Sequence, residues 1–152
     1  MSAVTYSNQT VKDFLDQSEE VVALKAPWDT QPQAGRYFLS WTPYLLVLDP
    51  EGNVHQRAIG FHGPGELIPW VLLGAGRADF FRERWKEALT ALDKLITLHG
   101  RSNAAPQARY MRAVCRYRLG QDRQVLKAMH QEIIDNHPGS IWVERTLPYL
   151  KL

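Results

Sequence analysis

The chain holds a single cysteine, Cys115, among 152 residues. One thiol excludes an intramolecular disulfide, and with it the paired-thiol chemistry of a Cys-x-x-Cys motif. Charge of one sign is also missing. There are 18 basic side chains against 16 acidic ones, a net charge of +2, too even for a nucleic-acid surface. No stretch approaches the ~18 apolar residues that a membrane-spanning helix requires. The longest apolar cluster, residues 67–75, is interrupted by Pro69 and Gly74. The opening residues, Met1-Ser2-Ala3-Val4-Thr5-Tyr6-Ser7-Asn8, lack the basic start and apolar run of a secretory leader. A cytoplasmic protein that engages neither membrane nor nucleic acid is expected. Catalytic and ligand motifs are missing too. His55, His62, His99, His130 and His137 show no His-x-x-x-His spacing, and there is no Gly-x-Ser-x-Gly. The loop Gly60-Phe61-His62-Gly63-Pro64-Gly65 lacks the Gly-Lys-Ser/Thr of a phosphate cradle. No metal, no cofactor and no enzymatic activity are therefore expected.

What is present is an ordinary globular composition, 45% hydrophobic and 22% charged, sufficient for a core. Asn8 or Thr10 can cap a helix with Val11, Phe14 and Leu15 on its apolar face, ending at Ser18-Glu19-Glu20. Val21-Val22-Ala23-Leu24-Lys25 reads as a short strand stopped at Pro27. Residues 28–34 read as a loop and 35–40 as a short helical turn. Residues 44–49 are almost continuously apolar, the pattern of a strand buried on both faces. Asp49-Pro50-Glu51-Gly52 is a β-turn: proline presets its backbone angle and glycine closes it. Residues 54–59 alternate as a half-exposed partner strand, completing a hairpin.

The glycine-rich loop at 60–65 separates strand-rich from helix-rich sequence. A helix should begin between Pro64 and Glu66, with Leu67, Ile68, Val71, Leu72 and Ala75 on one face. Further stripes follow at steps of three and four. The first runs through Trp85, Ala88, Leu89, Leu92, Leu95 and Ile96. The second, with Pro106 in its first turn, runs through Tyr110, Met111, Val114, Cys115 and Tyr117 to a stop at Gly120. The third runs through Val125, Leu126, Met129, Ile133 and Ile134 to a stop at His137-Pro138-Gly139. A last short helix carries Ile141, Trp142 and Leu147. The stretch 109–123, with Arg109, Arg112, Arg116, Arg118 and Arg123, reads as a solvated face whose arginine stems lie over apolar neighbours. Cys115 reads as an inert core thiol.

These features carry a resemblance. Thr42-Pro43 directly before an apolar strand, the Asp49-Pro50-Glu51-Gly52 turn and the Gly60-Phe61 strand end together resemble the second half of a thioredoxin-like domain. Residues 76–88 resemble the small-residue, aromatic and alanine spacing of a tetratricopeptide repeat, echoed more weakly over 113–122, near that repeat's ~34-residue period. The whole is similar to bacterial proteins joining a thioredoxin-like domain to tetratricopeptide-type helices. The resemblance implies an α/β part at 1–65 and an all-α, helical-hairpin part at 66–152. The α/β part would hold an incomplete thioredoxin-like sheet of about three strands, because the family's central strand and its cysteine pair are absent. It also implies a cis peptide at Thr42-Pro43. Residues Trp41, Thr42 and Pro43 would form a peptide-contact site, with Trp41 as its aromatic wall. In place of the missing strand, residues 21–25 would pair antiparallel with residues 44–49, or a second copy of the chain would supply pairing or cover as a homodimer. The expected function is non-catalytic binding of a protein or peptide, without dithiol redox activity. The alternative is a fragment of a thiol-disulfide oxidoreductase whose Cys-x-x-Cys lies upstream of Met1.

Overall fold

In the computed structural model, which describes residues 1, 3–19, 21–26, 33–38 and 41–151, Asn8 opens the first helix. Its backbone is extended, and its side chain accepts the Val11 N–H at 3.3 Å, satisfying a donor that the first helical turn leaves unpaired. Helix α1 runs Gln9–Gln17, buries Val11 completely and gives way to extended backbone at Ser18. The turns before α1 are tied to the rest of the unit by Thr5, whose hydroxyl donates to the His62 carbonyl at 2.6 Å.

Residues 21–26 form no regular secondary structure, and the strand expected at 21–25 is absent. Val22 and Leu24 stand in solvent, 86% and 90% exposed. Branched and apolar residues favour strands only where a pleated, half-buried surface exists to receive them, and here no described strand lies alongside. The loop expected at 28–34 falls largely outside the described residues. A single helical turn, α2 (Gln33–Arg36), starts slightly before the expected position, and Ser40 lies outside the described residues.

Strands β1 (Tyr44–Leu48) and β2 (Val54–Ile59) form the expected antiparallel hairpin. The register pairs Tyr44 with Ile59, Leu45 with Ala58, Leu46 with Arg57 and Val47 with Gln56, then shifts at a bulge before Leu48. At the turn, Gly52 adopts φ +83° and donates its N–H to the Asp49 carbonyl at 2.9 Å. The Tyr37 hydroxyl donates to the Gly52 carbonyl at 3.4 Å and fixes the end of α2 against this turn. The described sheet has two strands, not about three. That explains why β1 is not buried on both faces as its composition suggested. Val47 faces inward, but Leu48 is exposed and the other residues of β1 are half-buried.

Helix α3 (Pro64–Phe81) begins as expected at Pro64. The chain divides within it, into the compact units Met1–Ile68 and Pro69–Leu152. The second unit is helical: α4 (Trp85–His99), α5 (Ala105–Arg118), α6 (Gln124–Asn136) and α7 (Ile141–Thr146), then a 3-10 turn at Leu147–Lys151. Helix α5 packs against both α4 and α6. The stripes read from spacing become the core: Ala88, Leu92 and Leu95 from α4, Met111 and Cys115 from α5, Leu126, Met129 and Ile133 from α6. Tyr110 stacks on Trp142 at 5.1 Å between ring centres, and its hydroxyl lies 3.0 Å from that of Tyr149. Those contacts lay the C-terminal turns over α5. The described residues are thus rich in helix, with one small antiparallel sheet.

Candidate functional site

The open end of the hairpin gathers the residues expected to contact a peptide. The Thr42–Pro43 peptide is cis, and the Pro43 carbonyl accepts the Gly60 N–H at 2.9 Å. That bond sets Trp41-Thr42-Pro43 at the same end as Ile59-Gly60-Phe61. It also fixes the phase of the ladder. In an antiparallel pair, residues exchanging hydrogen bonds alternate with residues that do not. Starting from Pro43 opposite Gly60, the bonded pairs are Leu45 with Ala58 and Val47 with Gln56. The N–H and C=O groups of Tyr44 and Leu46 therefore point away from β2, and those of Arg57 and Ile59 away from β1. Among the described residues no strand lies against either edge.

Three large apolar side chains flank this end in solvent: Trp41 at 69% exposure, Phe61 at 57% and Ile59 at 53%. Thr42 is exposed and Pro43 half-buried. Sequence reasoning named Trp41, Thr42 and Pro43 but missed Ile59, Phe61 and the outward groups of Tyr44 and Leu46. Counting back from the Asp49–Gly52 turn would place residue 57 opposite residue 44; the observed register, with its shift at the bulge before Leu48, brings Ile59 there instead, and no local signal in the sequence marks it.

The opposite end of the hairpin is polar and internally satisfied. One Asp49 carboxylate oxygen accepts the Asn53 N–H at 2.8 Å; the other accepts the Asn53 amide at 2.9 Å and lies 2.9 Å from His55 Nε2. The His55 hydrogen bond, helped by those from Asn53, holds the Asp49 carboxyl below the usual carboxylate range. The partners of the Asp49 carboxylate are Asn53 in the turn and His55 at the start of β2, so the group locks the turn.

The arginine stretch is only in part the solvated face its composition suggested: Arg118 and Arg123 are exposed, but Arg109 is buried and Arg112 half-buried. Arg109 is only 6% exposed; its Nε donates to Glu132 at 3.0 Å and its NH1 to the Gly100 carbonyl at 3.2 Å. Arg112 binds both oxygens of Glu132, at 2.7 and 2.6 Å, and lies 3.5 Å from Asp93. Arg116 also reaches Asp93, at 3.5 Å, and Arg118 lies over the Trp85 ring and 3.7 Å from Glu83. Acidic groups of α4, α6 and the α3–α4 turn thus face the basic side of α5. His137 Nε2 lies 2.9 Å from the Gly100 carbonyl and 3.3 Å from Arg109 NH1. Burial, with the Arg109 charge adding to it, lowers the His137 pKa, although the Gly100 carbonyl pulls it upward. Cys115 is buried in the apolar core, and desolvation pushes its thiol up to about 11.

Among the described residues, no group of three or more His, Cys, Asp or Glu side chains could hold a metal ion, and no helix is long and apolar enough to cross a membrane. Comparison with family models, with curated proteins and with solved structures gives no match.

Proposed function

We propose that this chain is a non-catalytic binding module that recognises an extended protein segment by strand addition at β1. In this reading the hairpin is the remaining half of a thioredoxin-type sheet, carried next to tetratricopeptide-like helix pairs. The single observation that carries the reading is the β1 edge, against which no described strand lies, with Trp41-Thr42-Pro43 at its head. The outward main-chain groups of Tyr44 and Leu46 supply hydrogen bonds of the strand-addition kind, which give affinity independent of sequence. Trp41 supplies an aromatic surface for one side chain of the incoming strand, and such rings dominate binding energetics. Main-chain recognition at one exposed edge requires neither a nucleophile nor a general base, and none is assigned to the chain.

The test uses peptides selected by display against the intact protein. Selected peptides are expected to shift the backbone NMR resonances of Tyr44 and Leu46, and Trp41→Ala is expected to weaken binding at least ~10-fold, about 1.4 kcal/mol. A folded Trp41→Ala protein that keeps full affinity for every selected peptide would sink the reading. An insulin-reduction assay is expected to show no turnover, because the only thiol is Cys115.

A further inference from the structure

The segment 21–25 and the β1 edge are each incomplete in the way the other could repair. Residues 21–25 have strand-forming composition, yet they make no regular structure and leave Val22 and Leu24 almost fully in solvent. Isolated exposed apolar residues are ordinary on a protein surface. Val22 and Leu24 differ because they stand at i and i+2, so in a strand they fall on one face. Among the described residues no strand pairs the outward main-chain groups of Tyr44 and Leu46 on the β1 edge, which has Trp41 at its head. In the described structure the segment does not pair with that edge in the same chain.

We infer that in solution the β1 edge of one copy is occupied by residues 21–25 of a second copy, in a reciprocal, two-fold exchange. The inference rests on the same open edge as the peptide-binding reading and names its occupant. A two-fold arrangement makes each contact twice, since the segment of each protomer meets the edge of the other. The area approaches that of a stable dimer. Val22, Leu24 and Trp41, at their observed exposures, together present on the order of 500 Å² per protomer before any backbone is counted. A stable interface buries about 800 Å² per partner. Pairing also protects an edge that would otherwise promote open-ended aggregation.

The experiment is light scattering after size exclusion on wild-type protein, on Val22→Asp/Leu24→Asp and on Leu24→Pro, with amide hydrogen exchange on each. Both positions are solvent-exposed, so neither variant disturbs the folded monomer, which circular dichroism verifies. Leu24→Pro removes a ladder donor without adding charge. The expected result is a wild-type dimer at tens of micromolar and monomeric variants. The Leu46 amide should exchange at least ~10-fold faster in the variants. A monomeric wild type, or a dimer that survives both variants, overturns the inference. Peptide binding distinguishes this failure from that of the parent reading. A monomeric wild type whose selected peptides still depend on Trp41 sinks the self-association alone. A dimer dissolved by the variants, with no peptide ever engaging Trp41, supports self-association and sinks the peptide reading.

Discussion

At Gly76 two effects of opposite sign compete within one residue. Helix propensity favours alanine over glycine by ~1 kcal/mol in a helix interior. A Cβ at Gly76, however, would lie 2.7 Å from Cδ2 and 2.8 Å from Cγ of Leu92, and Leu92 is completely buried. A fully packed side chain has no free volume into which to move, and overpacking a core costs about 1–3 kcal/mol. The packing term wins, so Gly76→Ala is expected to lower unfolding stability by about 1 kcal/mol; a denaturant midpoint that rises instead would show that Leu92 repacks freely. Cys115 allows a similar decision. With its thiol pushed up to about 11 by burial, very little thiolate exists near neutral pH, and its core position shields it. Alkylation at pH 7.5 is expected to be at least ~100-fold slower than for a free thiol, rising to the free rate in denaturant. Fast modification of the native protein would contradict that burial.

Among the elements, the α5–α6 contact depends on charge as well as apolar packing. Arg109 and Arg112 converge on Glu132, and Arg109 also holds the Gly100 carbonyl at the end of α4. Arg109→Ala removes one donor from that carbonyl, which His137 Nε2 also approaches, and one from Glu132, which keeps both bonds from Arg112. Because the Glu132 side chain is one-third exposed, water recovers part of the loss, and the expected destabilisation is about 2 kcal/mol. Arg109→Met keeps the stem and isolates the charge. If it is as stable as wild type by urea unfolding, the hydrogen bonds contribute nothing net. This arrangement was not legible in the sequence, since Arg109 and Glu132 are 23 residues apart and no local spacing rule joins them. Local chemistry was legible. Asn8 as a cap, Pro50 and Gly52 in the turn, Pro64 and Pro106 at helix starts, and Gly120 at φ +96° each act through their own backbone or a near neighbour. Residues 21–25 mark the boundary. Their composition fits a strand, but a strand exists only with a partner, and in the described structure the partner is missing. The site divides the same way: a proline dipeptide is visible in sequence, whereas Ile59 and Phe61 join it only through the hairpin register.

At the scale of the whole molecule, the groups whose titration is shifted in the acid range are histidines in one compact unit and an aspartate in the other, so acid should affect the units in sequence. In Pro69–Leu152, burial lowers the pKa of both His99 and His137, with Arg109 adding to the effect at His137. A histidine that stays neutral when folded opposes the uptake of a proton that the unfolded chain accepts near pH 6.5. The stability this contributes is complete above that pH and declines as pH falls below it towards the lower folded values. In Met1–Ile68 the dominant group is Asp49, held ionised by His55 and Asn53. Its contribution is complete above about pH 4, where the unfolded carboxyl titrates, and declines as pH falls towards its depressed folded value. Amide exchange followed from pH 7 to pH 3, corrected for intrinsic rates, should therefore lose protection first around Met129 and Ile133 of α6, between about pH 6.5 and 5. The hairpin amides of Leu45 and Val47 should hold until the pH passes below about 4. Substituting His137→Phe removes the proton acceptor beside Arg109 and should shift the first transition to lower pH while leaving the second in place. Loss of hairpin protection before α6, or a first transition unmoved by that substitution, would mean that these histidines do not govern the acid response of the helical unit.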